Sequence, residues 1–182
     1  MNYQEILERG SGTLKANKIK NPNLDSELIL SKVLNKTREQ ILINFNDFIN
    51  QKQLQKFNNY LSRRKKNEPI AYILGFKHFW KYKFLINNSV LIPRPDTEIV
   101  IEESLKFIKY NKSKKILDIG TGSGCIVISL LKERPKCTAT ALDISKKAIK
   151  VAKTNAKLHH LGNKIEFINI DIDKYTSNKY DL

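Results

Sequence analysis

Lys115-Ile116-Leu117-Asp118-Ile119-Gly120-Thr121-Gly122-Ser123-Gly124-Cys125 is the stretch that decides the fold. Ile116, Leu117 and Ile119 form a short apolar run, the pattern of a parallel strand covered on both faces. The glycines at alternate positions let the main chain turn sharply and leave room for a ligand to touch backbone. Behind them Ile126, Val127, Leu130 and Leu131 mark one face of a helix whose first amide groups point back at the turn. Tight strand-to-helix turns also occur for packing alone, so the neighbours of this one matter.

Two features downstream fit a bound nucleoside. Cys137 to Leu142 reads as a second strand with Asp143 at its end. An acidic residue about 20 residues past the glycines is placed to accept both ribose hydroxyls. As a packing residue, Asp143 could equally cap the helix expected from Lys146 to His159. A third strand, Lys164 to Ile170, ends in Asp171-Ile172 at the same edge of the sheet. A dinucleotide fingerprint wants G-x-G-x-x-G, whereas Cys125 stands where its third glycine belongs. An acidic residue before three alternate glycines resembles instead the first motif of S-adenosylmethionine-dependent methyltransferases, with a dinucleotide as the alternative.

The 182 residues have room for one domain, or a small domain plus part of a larger one. With 41% hydrophobic residues the chain can pack a core. It has no leading apolar segment and no apolar run of membrane-spanning length, so a cytoplasmic protein is expected. Cys125 and Cys137 lack metal-site spacing, His78, His159 and His160 form no ligand cluster, and no metal is expected. His159 and His160 are expected at the exposed end of a helix stopped by Gly162. The formal charge of +15 favours non-specific contact with nucleic acid or ribosomes. Its lysines are nonetheless spread over the whole chain. The dense cluster Arg63-Arg64-Lys65-Lys66 reads as solvated charge complementing a helix dipole, or else as an RNA contact.

Residues 1–67 alternate amphipathic helical patterns with polar breaks. Ile6, Leu7 and Leu14 mark one helix. Leu24, Leu28, Ile29, Val33 and Leu34 mark a second, after the turn Asn21-Pro22-Asn23. Thr37 caps a short third helix, and a fourth from about Lys52 to Lys66 buries Leu54, Phe57 and Leu61. Over 68–92 the pattern turns aromatic and β-branched, predicting strands at Ala71–Phe76 and Phe79–Phe84. Its alternating aromatics and lysines suit a hairpin with one buried face, or nucleic-acid stacking. Pro93 and Pro95 impose an extended path. Asp96 or Thr97 then caps a helix running to about Tyr110.

Three segments carry a family resemblance: Glu68-Pro69-Ile70-Ala71-Tyr72-Ile73-Leu74-Gly75, Leu91-Ile92-Pro93-Arg94-Pro95-Asp96-Thr97-Glu98, and Leu117 to Gly124. Together they resemble the bacterial peptide-chain release factor glutamine methyltransferases, the HemK-like family, over essentially the whole chain. The resemblance implies an α/β, Rossmann-like class I S-adenosylmethionine-dependent methyltransferase fold. Here that fold would hold its first three to four strands, at 93–182. A helical N-terminal domain (1–67, for release factor recognition) and a β-hairpin linker (68–92) would precede it. The implied reaction is methyl transfer from S-adenosylmethionine to the glutamine side-chain amide in the Gly-Gly-Gln motif of release factors, by a monomer. The implied cofactor residues are Gly120, Thr121, Gly122, Ser123, Gly124, Asp143, Asp171 and Ile172. Ile172 stands where the family often has an aromatic residue packing on adenine. Pro93 to Glu98 would border the cleft.

One departure bears on activity. In the family the fourth strand ends in Asn-Pro-Pro-Tyr, which orients the acceptor amide, a poor nucleophile, for in-line transfer. Tyr180-Asp181-Leu182 resembles the start of that strand, the motif does not occur in these 182 residues, and no catalytic residue is assigned. The expectation is that the strand Ile116–Ile119 has a bare edge, and that the 182-residue chain alone is marginally folded and weakly active or inactive. The competing readings are a remnant that binds cofactor or release factor without catalysis, and a nucleic-acid methyltransferase. Some family members continue into a tRNA-methylating domain.

Overall fold

A computed structural model describes residues 1–176 and 179–182. Two compact units emerge, Met1–Leu74 and Gly75–Leu182.

The first unit is helical: α1 (Tyr3–Ala16), α2 (Pro22–Leu34), α3 (Arg38–Ile43), α4 (Gln51–Lys65) and α5 (Ile70–Leu74). Three of its helices begin in reciprocal capping boxes, Asn2 with Glu5, Thr37 with Gln40 and Asn50 with Gln53. Ile6, Leu14, Ile29, Leu30, Ile41 and Phe57 fill the core. Gly10 sets how closely α1 approaches its neighbours. A Cβ there would lie 2.3 Å from Ser26 Oγ and 2.8 Å from Phe57 Cζ. The buried stripe of α2 is Asp25, Ser26, Ile29 and Leu30, while Leu24, expected inward, is 40% exposed.

Asp25 is buried because Arg64 reaches it. The guanidinium Nε donates to Asp25 Oδ2 at 2.7 Å, and another nitrogen donates to the Glu68 carbonyl at 3.0 Å. Arg63 pairs through two nitrogens with Glu68, at 2.8 and 2.5 Å. The basic cluster is therefore split: its arginines brace the helical unit, and only Lys65 and Lys66 are exposed. The strand expected at Ala71–Phe76 is α5 followed by Gly75 in the left-handed region (φ 80°). Helical bonding from Pro69 overrides the β-branched composition there.

The second unit opens with an antiparallel hairpin, β1 (Phe76–Phe79) and β2 (Tyr82–Leu85). The strand expected over Phe79–Phe84 is thus the tip of this hairpin. Trp80 takes a left-handed conformation at the turn (φ 54°), and its N–H donates to Glu98 at 2.8 Å. Phe79 and Phe84 are buried, so the hairpin has one core face. A 3₁₀ turn at Pro95–Thr97 leads into α6 (Glu98–Phe107), without the side-chain cap expected from Asp96 or Thr97. Then follow β3 (Lys115–Ile119), α7 (Cys125–Glu133), β4 (Thr138–Asp143), α8 (Lys146–Leu158) and β5 (Ile165–Asn169). The three strands are parallel, in the order β3-β4-β5. This is the opening half of a Rossmann-like sheet.

Strand alternation assigns the two faces. Ile116, Ala139, Ala141, Ile165 and Phe167 share one face and pack with α6, α7 and the hairpin. On the other face Leu117 and Ile168 are half-buried and Ile119 is 55% exposed, so β3 is not covered on both sides. Its edge is bare only in part. Asp181 N–H donates to the Lys115 carbonyl and Leu117 N–H to the Leu182 carbonyl, both at 2.8 Å.

α8 ends in a Schellman motif. Leu161 N–H donates to the Ala156 carbonyl, His160 N–H to that of Lys157, and His160 takes the left-handed conformation. Gly162 is therefore not the stop. His159 turns toward the hairpin instead of solvent, with Nε2 3.0 Å from the Lys83 carbonyl. Among the described residues no helix is long and apolar enough to cross a membrane.

Glu133 collects three donors from the hairpin: the Trp80 indole at 3.0 Å, the Tyr82 hydroxyl at 3.2 Å and the Lys81 ammonium at 2.9 Å. Burial pushes its carboxyl up, but the Lys81, Trp80 and Tyr82 donors outweigh that and hold it below the ordinary range. A depressed folded value contributes stability above the ordinary carboxylate range, and that stability is lost as pH falls through the lowered value. Glu133→Gln is therefore expected to flatten the acid limb of a melting-temperature profile below that range and to leave its slope at neutral pH unchanged.

Candidate cofactor site

The glycine turn is fixed by the strand beside it. The N–H groups of Gly120 and Thr121 both donate to the Leu142 carbonyl at 2.9 Å, stapling the turn to the end of β4. Gly122 is left-handed (φ 56°), and its N–H donates to Asp143 Oδ2 at 2.9 Å. Gly124 is also left-handed (φ 79°) and serves packing as well. A Cβ there would press on Ile128 Cδ1 at 2.9 Å and Ala152 Cβ at 3.3 Å. Above Gly120, by contrast, a Cβ would meet nothing within 4 Å. The loop is open on the side away from the helices.

Asp143 joins the first two expected elements. Besides Gly122 it accepts from Ser145 N–H, at 2.8 Å through Oδ1. Each carboxylate oxygen keeps acceptor capacity for a further donor. Asp143 is not the cap of α8. That role belongs to Ser145, whose hydroxyl accepts from Ala148 N–H. Beneath the loop, Thr121 Oγ1 donates to Asp118 Oδ2 at 2.7 Å. Burial pushes the Asp118 carboxyl up, opposed by the Thr121 hydroxyl and the Val127 amide, with nearby Asp143 adding to the rise. Ser123 is buried, and its carbonyl accepts from Asn155 Nδ2 at 2.8 Å. Thr121 and Ser123 are thus buried at the loop's underside, while Gly120 is exposed and Gly122 half-buried.

Asp171 and Ile172 follow β5, at the same carboxyl edge. Asp171 caps a 3₁₀ turn through Asp173 N–H at 3.2 Å, and Ile172 is 44% exposed. Two further apolar side chains sit at this edge, Ile119 (55% exposed) and Ile144 (72% exposed). Asn169 fixes Ile144's loop, donating to the carbonyls of Asp143 (2.9 Å) and Ile144 (2.8 Å). The arrangement offers acceptors at Asp143, accessible main chain at Gly120 and Gly122, and aliphatic surface at the ends of all three strands.

Residues 5–75 match the family described as PrmC N-terminal domain, and residues 110–182 match a methyltransferase domain. The chain is 42% identical over 163 residues to a release factor glutamine methyltransferase of Buchnera aphidicola, covering 88% of this chain and 58% of that one. A Coxiella burnetii protein of the same description is 42% identical over 144 residues, 79% of this chain and 52% of its own. The chain belongs to the HemK/PrmC-like family. A Rickettsia typhi bifunctional methyltransferase is 38% identical over 198 residues, 98% of this chain and 38% of its own length. The chain therefore spans well under two thirds of the length of these relatives.

Within this HemK/PrmC-like frame, three contributors escape the sequence reading. Ile144 looks like any aliphatic residue and is distinguished only by standing exposed beyond a strand end. Asn169 carries no motif. Asn155 sits in the last turn of α8, fully buried, where its Nδ2 also donates to the Leu85 carbonyl at 2.9 Å and its Oδ1 accepts from Leu85 N–H at 2.8 Å. The one available signal for Asn155 was a polar residue on the apolar stripe of an otherwise amphipathic helix.

Proposed function

We propose that this chain carries the cofactor-binding part of an S-adenosylmethionine-dependent methyltransferase. Its acceptor would be the glutamine side-chain amide in the Gly-Gly-Gln motif of peptide chain release factors. The observation that carries the reading is the Gly122–Asp143 hydrogen bond, which sets an acidic acceptor against an open glycine loop. Asp143 would take the ribose hydroxyls, Gly120–Gly124 would meet the cofactor with main chain, and Ile172 with Ile144 would cover the adenine. Asp171 would hold Ile172 in place. When bound, the cofactor supplies an electrophilic methyl group. In this proposal residues 1–67 help recognise the release factor, 68–92 link, and 93–182 begin the transferase domain.

An amide nitrogen attacks poorly because its lone pair is delocalised, so transfer rests on positioning the acceptor. No Asn-Pro-Pro-Tyr occurs in these 182 residues to do so. The polypeptide of this length is therefore expected to bind S-adenosylhomocysteine in calorimetry while methyl incorporation into release factor stays at background. Asp143→Ala should weaken that binding about 30-fold, near 2 kcal/mol, by removing a charged acceptor. Unchanged affinity would sink the cofactor assignment. Methyl transfer to RNA in place of release factor would favour the nucleic-acid reading. The intact mass in the native cell decides between enzyme and non-catalytic binder. A species continuing past Leu182 into Asn-Pro-Pro-Tyr supports the enzyme, and one near 21.1 kDa supports the binder.

A further inference from the structure

A second feature of this unit is the basic exposed face of α8. This helix, KKAIKVAKTNAKL, contains five lysines and no carboxylate. Lys146, Lys150, Lys153 and Lys157 recur at helical spacing on one exposed face. They form one wall of an open groove of about 1010 Å³ whose other wall is β5, at Ile165, Phe167 and Asn169. Half-buried Phe167 supplies the apolar floor, with the buried Ile149 and Ala156 of the helix at its base.

β5 is the edge of its sheet. The Ala139 N–H donates to the Lys164 carbonyl, and the Ile170 N–H to the Asp143 carbonyl, so even-numbered residues of β5 face β4. The N–H and C=O groups of Ile165, Phe167 and Asn169 therefore point outward, paired with no strand among the described residues. The same three residues line the groove. An apolar floor, a lysine wall and an open strand edge thus coincide.

We propose that this groove binds an extended acidic segment of a partner protein, which adds to β5 as a further strand. Same-face side chains of a strand recur about every 6.6 Å. The lysines step along α8 by three or four residues, about 4.5 to 6 Å, so carboxylates at alternate positions of the added strand meet successive ammonium groups. The intervening main chain pairs with Ile165, Phe167 and Asn169, the mode of recognition in which main-chain bonds give affinity and side chains give selectivity. A nucleic-acid strand would satisfy the lysines too. It would set phosphates against the outward carbonyls of β5, which accept hydrogen bonds and repel anions, and leave the apolar floor unused. The proposal stands independently of the cofactor reading.

The test titrates the 182-residue protein with a fluorescent peptide alternating glutamate and valine, with its N-methylated counterpart, and with single-stranded oligouridylate. Expected are binding of the first peptide, loss on N-methylation, and slowed hydrogen exchange at the Phe167 and Asn169 amides. Lys150→Glu with Lys153→Glu should weaken binding about tenfold at unchanged helical content. Lys65→Glu, remote from the groove in sequence and in a different compact unit, should leave it unchanged. Equal binding of the N-methylated peptide, tighter binding of the oligouridylate, or unprotected β5 amides would each overturn the proposal.

Discussion

Arg64→Ala is expected to cost the helical unit about 3–5 kcal/mol, the penalty for stranding a buried charge. Asp25 is 4% exposed, and its partner guanidinium is 16% exposed at the side chain. Removing Arg64 also frees the Glu68 carbonyl, whose acceptor bond is 3.0 Å long. By contrast Lys106 and Glu103, one turn apart on α6, are 69% and 53% exposed at their side chains. Lys106→Ala should therefore shift stability by only about 0.5 kcal/mol. Arg64→Met combined with Asp25→Asn should recover part of the loss, because no full charge then remains buried. The comparison is made by urea unfolding followed by helical ellipticity, since the single tryptophan, Trp80, lies in the other unit. A loss below about 1 kcal/mol would mean that Arg64 is only a solvated charge complementing the helix dipole.

That expectation reverses the plain reading of Arg63-Arg64-Lys65-Lys66. Four consecutive basic residues at a helix end look alike in sequence, because local pattern does not reveal which side chains face a distant carboxylate. Asp25 lies 39 positions away and itself occupies an apolar stripe. Only the packing of α2 against α4 brings the two together.

The second large effect is expected at Asn155. Its amide holds both main-chain groups of Leu85 and the carbonyl of Ser123, tying the hairpin, α8 and the glycine loop into one network. Asn155→Leu keeps the side-chain volume but leaves these groups without their partner. Each stranded buried group costs about 1–3 kcal/mol, and partial relaxation brings the expected total near 3 kcal/mol. Lys147→Ala, exposed on the same helix, should change stability by under about 0.5 kcal/mol. Thermal unfolding reads the first effect. Hydrogen exchange reads a second one: the Gly122 amide, donated to Asp143, should lose protection in Asn155→Leu as the loop loosens from below. Full stability with an unaltered loop would mean that the Asn155 contacts are energetically idle.

Local periodicity was enough for the α/β alternation, the parallel strands ending at Asp143 and near Asp171, and the four main N-terminal helices. In each case apolar spacing and cap residues act within a few positions. Propensity failed at Ala71–Phe76 and at the hairpin tip, where a left-handed Gly75 and a left-handed Trp80 redirect the chain. Aromatic and β-branched residues favour strands, but register and turn placement depend on what packs beneath them.

From its residues alone, this protein resembles the HemK-like family and carries a glycine loop with an acid after the next strand. Those features are short-range and follow from backbone conformation and residue order. Tertiary structure decided that Asp143 is held by the loop it faces and that Thr121 and Ser123 turn inward. It also decided that two arginines of a basic run are structural and that a lysine wall borders an open strand edge. These depend on contacts between residues far apart in the chain, which only the closed packing of helices and sheet specifies.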